Sequence, residues 1–252
     1  MIVFVTSMLT GWVAPEAVLP AMAPDDVPVP PVVIAEPGTP PVEEPEEPTT
    51  PPSDKVCYLT FDDGPDGTIT PAMLDILKQY DVKATFFVVG RMVEYYPAMV
   101  KRMKDEGHAI GNHTYSHNLS HKSNAKAFAD DLERANRALV RAIGEPSMII
   151  RVPGGSKPSD FVSKVLPHLK TLGYEYFDWN VDSEDAINRK QTANQMAERV
   201  IREVSKRKTA MVLMHNINTP TSLAALPAII EGIRDMGYEF KVIDSTTKPI
   251  HF

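Results

Sequence analysis

From Lys55 to Phe252, short runs that are apolar throughout alternate with longer segments whose apolar residues recur every three or four positions. The first pattern reads as a strand buried on both faces, the second as an amphipathic helix. Val56-Cys57-Tyr58-Leu59-Thr60-Phe61 is the first apolar run, and Asp62-Asp63-Gly64-Pro65 ends it as a turn. Thr70 and Pro71 have the character of an N-cap and a first helical residue, opening a helix through Met73, Leu74, Ile76 and Leu77. Residues 84–89 (ATFFVV) form a second strand closed by Gly90, residues 97–106 a helix ending at Gly107, and residues 108–111 a brief strand. The alternation then predicts helices at 124–143, 158–172, 192–206 and 222–236, with strands at 147–152, 174–181, 210–214 and 240–243.

Strands alternating with helices imply a parallel sheet covered by helices. About seven strands in residues 55–252 fall short of a complete eight-unit barrel. The predicted fold is therefore α/β: a distorted, incomplete (β/α) barrel of about seven parallel strands with outer helices. In such folds the reactive groups collect beyond the C-terminal ends of the strands.

Upstream of Lys55 the pattern is different. Residues 2–14 are uncharged and mostly apolar, a length that suits the hydrophobic region of a signal peptide and is short for a membrane span. Ala21-Met22-Ala23 resembles a cleavage site, although no basic leader precedes it and Pro24 follows directly. Residues 1–23 are expected to be a signal-peptide-like or membrane-anchor segment, which places the protein outside the cell or on its surface. Between residues 24 and 54, where roughly a third of positions are proline mixed with Glu, Thr and Val, too little apolar surface exists to offset the entropy of ordering. A disordered linker is expected there, with the folded domain at 55–252.

Charge sharpens this division. Nine of the 33 acidic residues and none of the 26 basic ones precede Lys55, so the formal charge of −7 belongs to the N-terminal stretch. The remainder is close to neutral and shows no basic stripe, which argues against a nucleic-acid partner. Cys57 is the only cysteine, so an intrachain disulfide or a thiolate metal cluster is excluded; it reads as a small apolar strand residue.

The polar clusters fall after predicted strands, five times in order. Asp62-Asp63 follows the first strand; adjacent carboxylates repel unless a cation or proton lies between them, and neighbours on extended chain point in different directions. One can therefore bind a metal while the other faces a reacting water. His113-Thr114-Tyr115-Ser116-His117 places two histidines at i and i+4, on one face of a helical turn, and two His with one carboxylate suit a catalytic cation with open positions. His108 and His121 lie out of phase and are expected to be bystanders. Arg151-Val152-Pro153-Gly154-Gly155 offers a cation for a carboxylate and glycines that let backbone N–H groups approach a ligand. Residues 179–185 (WNVDSED) and His215 complete the series.

Thr60-Phe61-Asp62-Asp63-Gly64-Pro65, His113-Thr114-Tyr115-Ser116-His117, Arg151-Val152-Pro153, the segment 179–185 and Leu213-Met214-His215 resemble the five motifs of the polysaccharide deacetylase family. This is the NodB-homology group, carbohydrate esterase family 4, and the resemblance spans roughly residues 55–245. It implies a metal-dependent hydrolase that removes N-acetyl groups from amino sugars of a cell-wall polysaccharide, with peptidoglycan N-acetylglucosamine first and chitin-like oligomers or acetylxylan as alternatives. By the same resemblance Asp63, His113 and His117 hold a divalent cation, zinc in the first place, with cobalt, nickel or manganese as substitutes. Asp62 is the general base, oriented by Arg151; the Gly154 N–H receives the oxyanion; His215 is the acid, partnered by Asp185, with Asp182 as the competing partner. Trp179 and Leu213 wall the acetyl pocket, and a monomer is expected. Two positions depart from the family pattern: Gly154 stands where an aromatic is usual, and Ala186 where a Trp is usual.

Two other readings exist. Haloacid-dehalogenase-type phosphatases also carry Asp-rich strand ends, but their two Asp are separated by one residue and they lack the His pair. A catalytically inactive, metal-bearing wall-binding module would keep the metal and release no acetate.

Overall fold

A computed structural model describes residues 54–157 and 161–252. The expected leader (1–23), all but the last residue of the expected linker (24–54), and the first three residues of the helix expected at 158–172 lie outside the described residues. Among the described residues no helix is long and apolar enough to cross a membrane.

The chain runs β1 (Val56–Asp62), α1 (Ile69–Gln79), β2 (Thr85–Val88), α2 (Gly90–Tyr95), α3 (Pro97–Asp105) and β3 (Ala109–Asn112). A 3₁₀ segment, Leu119–Ser123, precedes α4 (Ala125–Ile143) and β4 (Ile149–Ile150). A π-helical turn, Phe161–Val165, leads into α5 (Leu166–Thr171), followed by β5 (Glu175–Tyr176) and β6 (Val181–Asp182). The remainder is α6 (Ala193–Val204), β7 (Thr209–His215), α7 (Pro220–Asp235) and β8 (Glu239–Phe240).

The strands form one parallel sheet in the order β5-β4-β3-β2-β1-β7-β6. β8 adds no further column: it pairs with Val56 and Cys57 on the edge of β1 that β2 takes over at Thr60. The two edge strands, β5 and β6, are consecutive in the chain, with only residues 177–180 between them. The sheet must therefore curl until its edges nearly meet, and no ladder pairs β5 with β6. The result is the incomplete barrel expected from the alternation. The single strand expected at 174–181 is divided because it crosses this gap. The Phe177 N–H bonds Ile150 O on one edge, and the Asn180 N–H bonds Met211 O on the other.

Both faces of the sheet are covered, so strand alternation decides which side chains point inward. Cys57, Leu59 and Phe61 of β1 and Ala210, Val212 and Met214 of β7 join a core with Leu74, Leu77, Val200 and Ile229 of the helices. The intervening residues point the other way, into the barrel, where Phe87, Phe177 and Met211 cluster with Tyr58. Thr60, Asp62, Leu213 and His215 belong to this inward set, and the register places Asp62 beside His215.

Helix boundaries follow local capping. The Asp66 carboxylate accepts the N–H groups of Thr68, Ile69 and Thr70 at 3.0, 2.7 and 2.9 Å, so α1 starts before the expected Thr70 cap. Asn124 caps α4 through the Ala127 N–H, and Thr192 with Gln195 forms a capping box on α6. The six-residue helix α2 was too short to show as a periodic pattern. It sits so close to α4 that a Cβ on Gly90 would lie 2.7 Å from the Ala135 Cα. Gly90→Ala is expected to destabilise the fold by about 1–3 kcal/mol through overpacking. The measurement is urea unfolding, with a lowered midpoint at unchanged m-value.

Candidate active site

Asp62 is the last residue of β1 and Asp63 the first beyond it, with φ of +78°. That left-handed step turns the two carboxylates onto different partners. The buried Asp62 accepts a hydrogen bond from Arg151 Nη1 at 2.9 Å. Asp63 Oδ1 faces two imidazoles instead, 3.5 Å from His113 Nε2 and 3.2 Å from His117 Nε2.

His113 and His117 do not share a helical turn, contrary to the expectation from their spacing. They belong to an irregular loop after β3 in which Thr114 and His117 have φ of +64° and +55°. The loop is shaped by bonds to its neighbours. Gly90 and Arg91 N–H donate to the carbonyls of Thr114 and Tyr115, and Asp131 accepts both the N–H and the hydroxyl of Ser116. His113 Nδ1 lies 2.8 Å from the Arg151 carbonyl, which assigns a proton to Nδ1 and leaves Nε2 facing Asp63.

These three residues fit a cation. Their ligand atoms lie within 4.8 Å of one another, and Asp63 Oδ1 is buried with no hydrogen-bond partner among the described residues. An orphaned carboxylate oxygen with two imidazole nitrogens is a donor set suited to zinc. The electrostatics agree. Burial raises the Asp63 carboxyl pKa, but His113, with His215 and His117, outweighs it and holds it below the usual range. Burial, then the charge of His113, lowers the His117 pKa, leaving its ring neutral and able to donate a lone pair.

Across the pocket, His215 Nδ1 is 2.6 Å from Asp185 Oδ1, and the His215 N–H donates to Asp185 Oδ2 at 2.8 Å. Asp182 also lines the pocket but accepts the Glu184 N–H at 2.7 Å, so Asp185 is the residue bonded to His215. Ser222 donates to the same Asp185 carboxylate at 2.6 Å. Burial lowers the His215 pKa, but the Asp185 bond and charge, helped by Asp62 and Asp63, raise it to about 9.

Asp62, Asp63, His113, His117, Gly154, Trp179, Leu213 and His215 all line one pocket of about 300 Å³. Arg151 and Asp185 sit behind it, buried. His108 lies outside it, accepting the Ala84 N–H, and so does His121, beside Asp131. The sequence reasoning missed several residues. Thr60 lies within the first motif, and its hydroxyl accepts from Arg151 at 2.6 Å. Asn216, beside His215, accepts the Gly64 N–H and fixes the turn after Asp63. Leu119 and Ile187 form an apolar rim although 56% and 77% exposed. Exposed apolar residues beside motif positions were the available signal for these two.

Comparison with known proteins agrees with this geometry. Residues 49–177 match the polysaccharide deacetylase family. A peptidoglycan-N-acetylglucosamine deacetylase from Bacillus cereus is 36% identical over 206 residues, 79% of this chain and 73% of that protein. The peptidoglycan-N-acetylmuramic acid deacetylase PdaA of Bacillus subtilis is 34% identical, covering 76% of this chain and 71% of its own length. Among solved structures, a Bacillus cereus polysaccharide deacetylase superposes with a TM-score of 0.72 at 34% identity, over 79% of this chain and 97% of that one. A family 4 carbohydrate esterase from Streptomyces lividans, in complex with acetate, gives 0.68 at 26% identity, over 79% and 98%. With its barrel, its ordered strand-end motifs and these relatives, the chain belongs to the polysaccharide deacetylase family, carbohydrate esterase family 4.

Proposed function

We propose that this enzyme hydrolyses the N-acetyl group of amino sugars in peptidoglycan, N-acetylglucosamine first, using a zinc ion held by Asp63, His113 and His117. The observation that carries the reading is the division of labour between the two adjacent carboxylates: Asp63 forms a cluster of possible ligands with the imidazole pair, while Asp62, beside that cluster, is bonded by Arg151. The bound cation would polarise the acetamide carbonyl and acidify the attacking water.

The protein's own groups divide the remaining work. Asp62 takes the water proton as the water oxygen bonds to the acetyl carbon. The Gly154 N–H, on the pocket wall, receives the developing oxyanion. His215, charged through its contact with Asp185, gives its proton to the nitrogen as the carbon–nitrogen bond breaks, so that acetate and a free amine leave. Trp179 and Leu213 bound the space for the acetyl methyl. Relatives named for both N-acetylglucosamine and N-acetylmuramic acid deacetylation support a peptidoglycan substrate. The apolar residues 1–23 would direct export or anchoring, and the Pro/Glu stretch at 24–54 would space the domain from the membrane.

Incubating the protein with peptidoglycan, chitopentaose and acetylxylan should release acetate from the first in preference. Chelation should abolish release, and zinc should restore it. Metal content without acetate from any of the three would favour the inactive binding module. Asp62→Asn should lower kcat by about 10²–10⁴-fold, the usual range for a general base, while zinc content stays at the wild-type level. Unchanged turnover would remove Asp62 from that role.

The His215 contact predicts a pH effect with a definite sign. A pKa raised to about 9 keeps the imidazolium present below that value, so the acid is lost as pH rises through it. Asp185→Asn removes the main raising influence and leaves burial, which acts downward. The alkaline limb of kcat should therefore move to lower pH; a limb that stays in place would assign the acid elsewhere.

A further inference from the structure

Val152, Pro153, Gly154 and Gly155 form a β-turn closed by the Gly155 N–H on the Val152 carbonyl at 2.8 Å. Proline in the second position and φ of +68° at Gly154 in the third make it type II. Type I and type II turns differ by a half-rotation of the central peptide, here Pro153–Gly154, and glycine in the third position tolerates either. The neighbours of that peptide therefore decide how it is turned.

Its neighbour is a buried cation that the mechanism above does not use. Lys122, from the 3₁₀ segment, is 8% exposed and donates to Pro153 O at 3.1 Å and to Gly155 O at 2.5 Å. The Pro153–Gly154 peptide is trans, so its N–H points opposite to its carbonyl. With Pro153 O on the ammonium, the Gly154 N–H is turned away from Lys122, and Gly154 itself lines the pocket. Among the described residues that N–H donates to no protein group. An ammonium on the carbonyl also polarises the peptide, which strengthens the N–H as a donor.

We infer that Lys122 is a positioning residue for deacetylation, holding the Pro153–Gly154 peptide so that the Gly154 N–H meets the oxyanion; this rests on the reaction proposed above. The test is Lys122→Met and Lys122→Arg in the zinc-loaded full chain, assayed on chitopentaose for kcat and KM, with zinc content and melting temperature alongside. Lys122→Met should lose about 10–100-fold in kcat with KM and zinc content unchanged, somewhat less than deletion of an oxyanion donor. Lys122→Arg, which can still donate to both carbonyls, should recover most of the loss. A Lys122→Met kcat within twofold of wild type, or a loss confined to KM, overturns the inference. If Lys122→Met fails to fold, Lys122→Gln, which keeps a donor for one carbonyl, is judged by the same criterion. A wild-type chain that releases no acetate from chitopentaose or peptidoglycan defeats the deacetylase reading and this inference with it.

Discussion

The fully buried guanidinium of Arg151 is the interaction on which the barrel and its site both depend. A charge removed from water needs its donors satisfied, and here all of its partners come from the site or the gap in the sheet. Nη1 reaches Asp62 and Thr60 on β1, while Nε and Nη2 reach the carbonyls of Phe177 and Asp178. Those carbonyls belong to the stretch that crosses between the two sheet edges, where no neighbouring strand supplies donors. The Arg151 carbonyl in turn accepts from His113, and its guanidinium lies over the Phe87 ring at 4.2 Å. A lysine could not replace it, because one ammonium lacks the planar set of donors that spans four acceptors. Removing such a partner typically costs about 3–5 kcal/mol, because its former carboxylate partner stays buried and unpaired.

From that anchor the placement of chemistry follows with few further assumptions. Strand alternation sends Thr60, Asp62, Leu213 and His215 inward together, and the β1–β7 register sets Asp62 beside His215. The left-handed Asp63 breaks the alternation by one residue, so two carboxylates adjacent in sequence both face the pocket. Arg151 bonds Asp62, the imidazole pair or a cation faces Asp63, and His113 Nε2 lies 3.7 Å from Asp62 and 3.5 Å from Asp63. His215 completes the pattern with Asp185, itself fixed by Ser222.

Much of this was legible in the sequence because it depends on local rules. Apolar runs marked the strands, and reactive residues clustered just beyond them, which is enough to assemble Asp62, Asp63, Arg151 and His215. What was not legible depends on tertiary contacts. The i, i+4 spacing of His113 and His117 suggested a helical turn, but the loop follows Gly90, Arg91 and Asp131 instead. The run at 174–181 looked like one strand because periodicity carries no information about which edge a residue pairs with. α2 was too short to show a period. Asp66 displaced Thr70 as the cap because an Asx interaction reaching three N–H groups outcompetes the usual Thr-Pro start.

The two departures from the family pattern acquire different meanings in three dimensions. Ala186 lies on the rim of the pocket, where Ile187 and Leu119 present exposed apolar surface. A lost aromatic there alters what borders the sugar without touching the donor set. Gly154 is different, because its proposed contribution is a backbone N–H and its lack of a side chain removes one means of fixing a peptide plane. The turn is instead held from both flanks. Lys122 takes the carbonyls on one side, and Asp178 accepts the Ser156 N–H at 3.0 Å and the Phe252 N–H at 3.1 Å on the other. Asp178 is also the residue whose carbonyl receives Arg151, so the turn bearing the proposed oxyanion donor and the carboxylate proposed as base are referred to the same short crossing of the barrel gap.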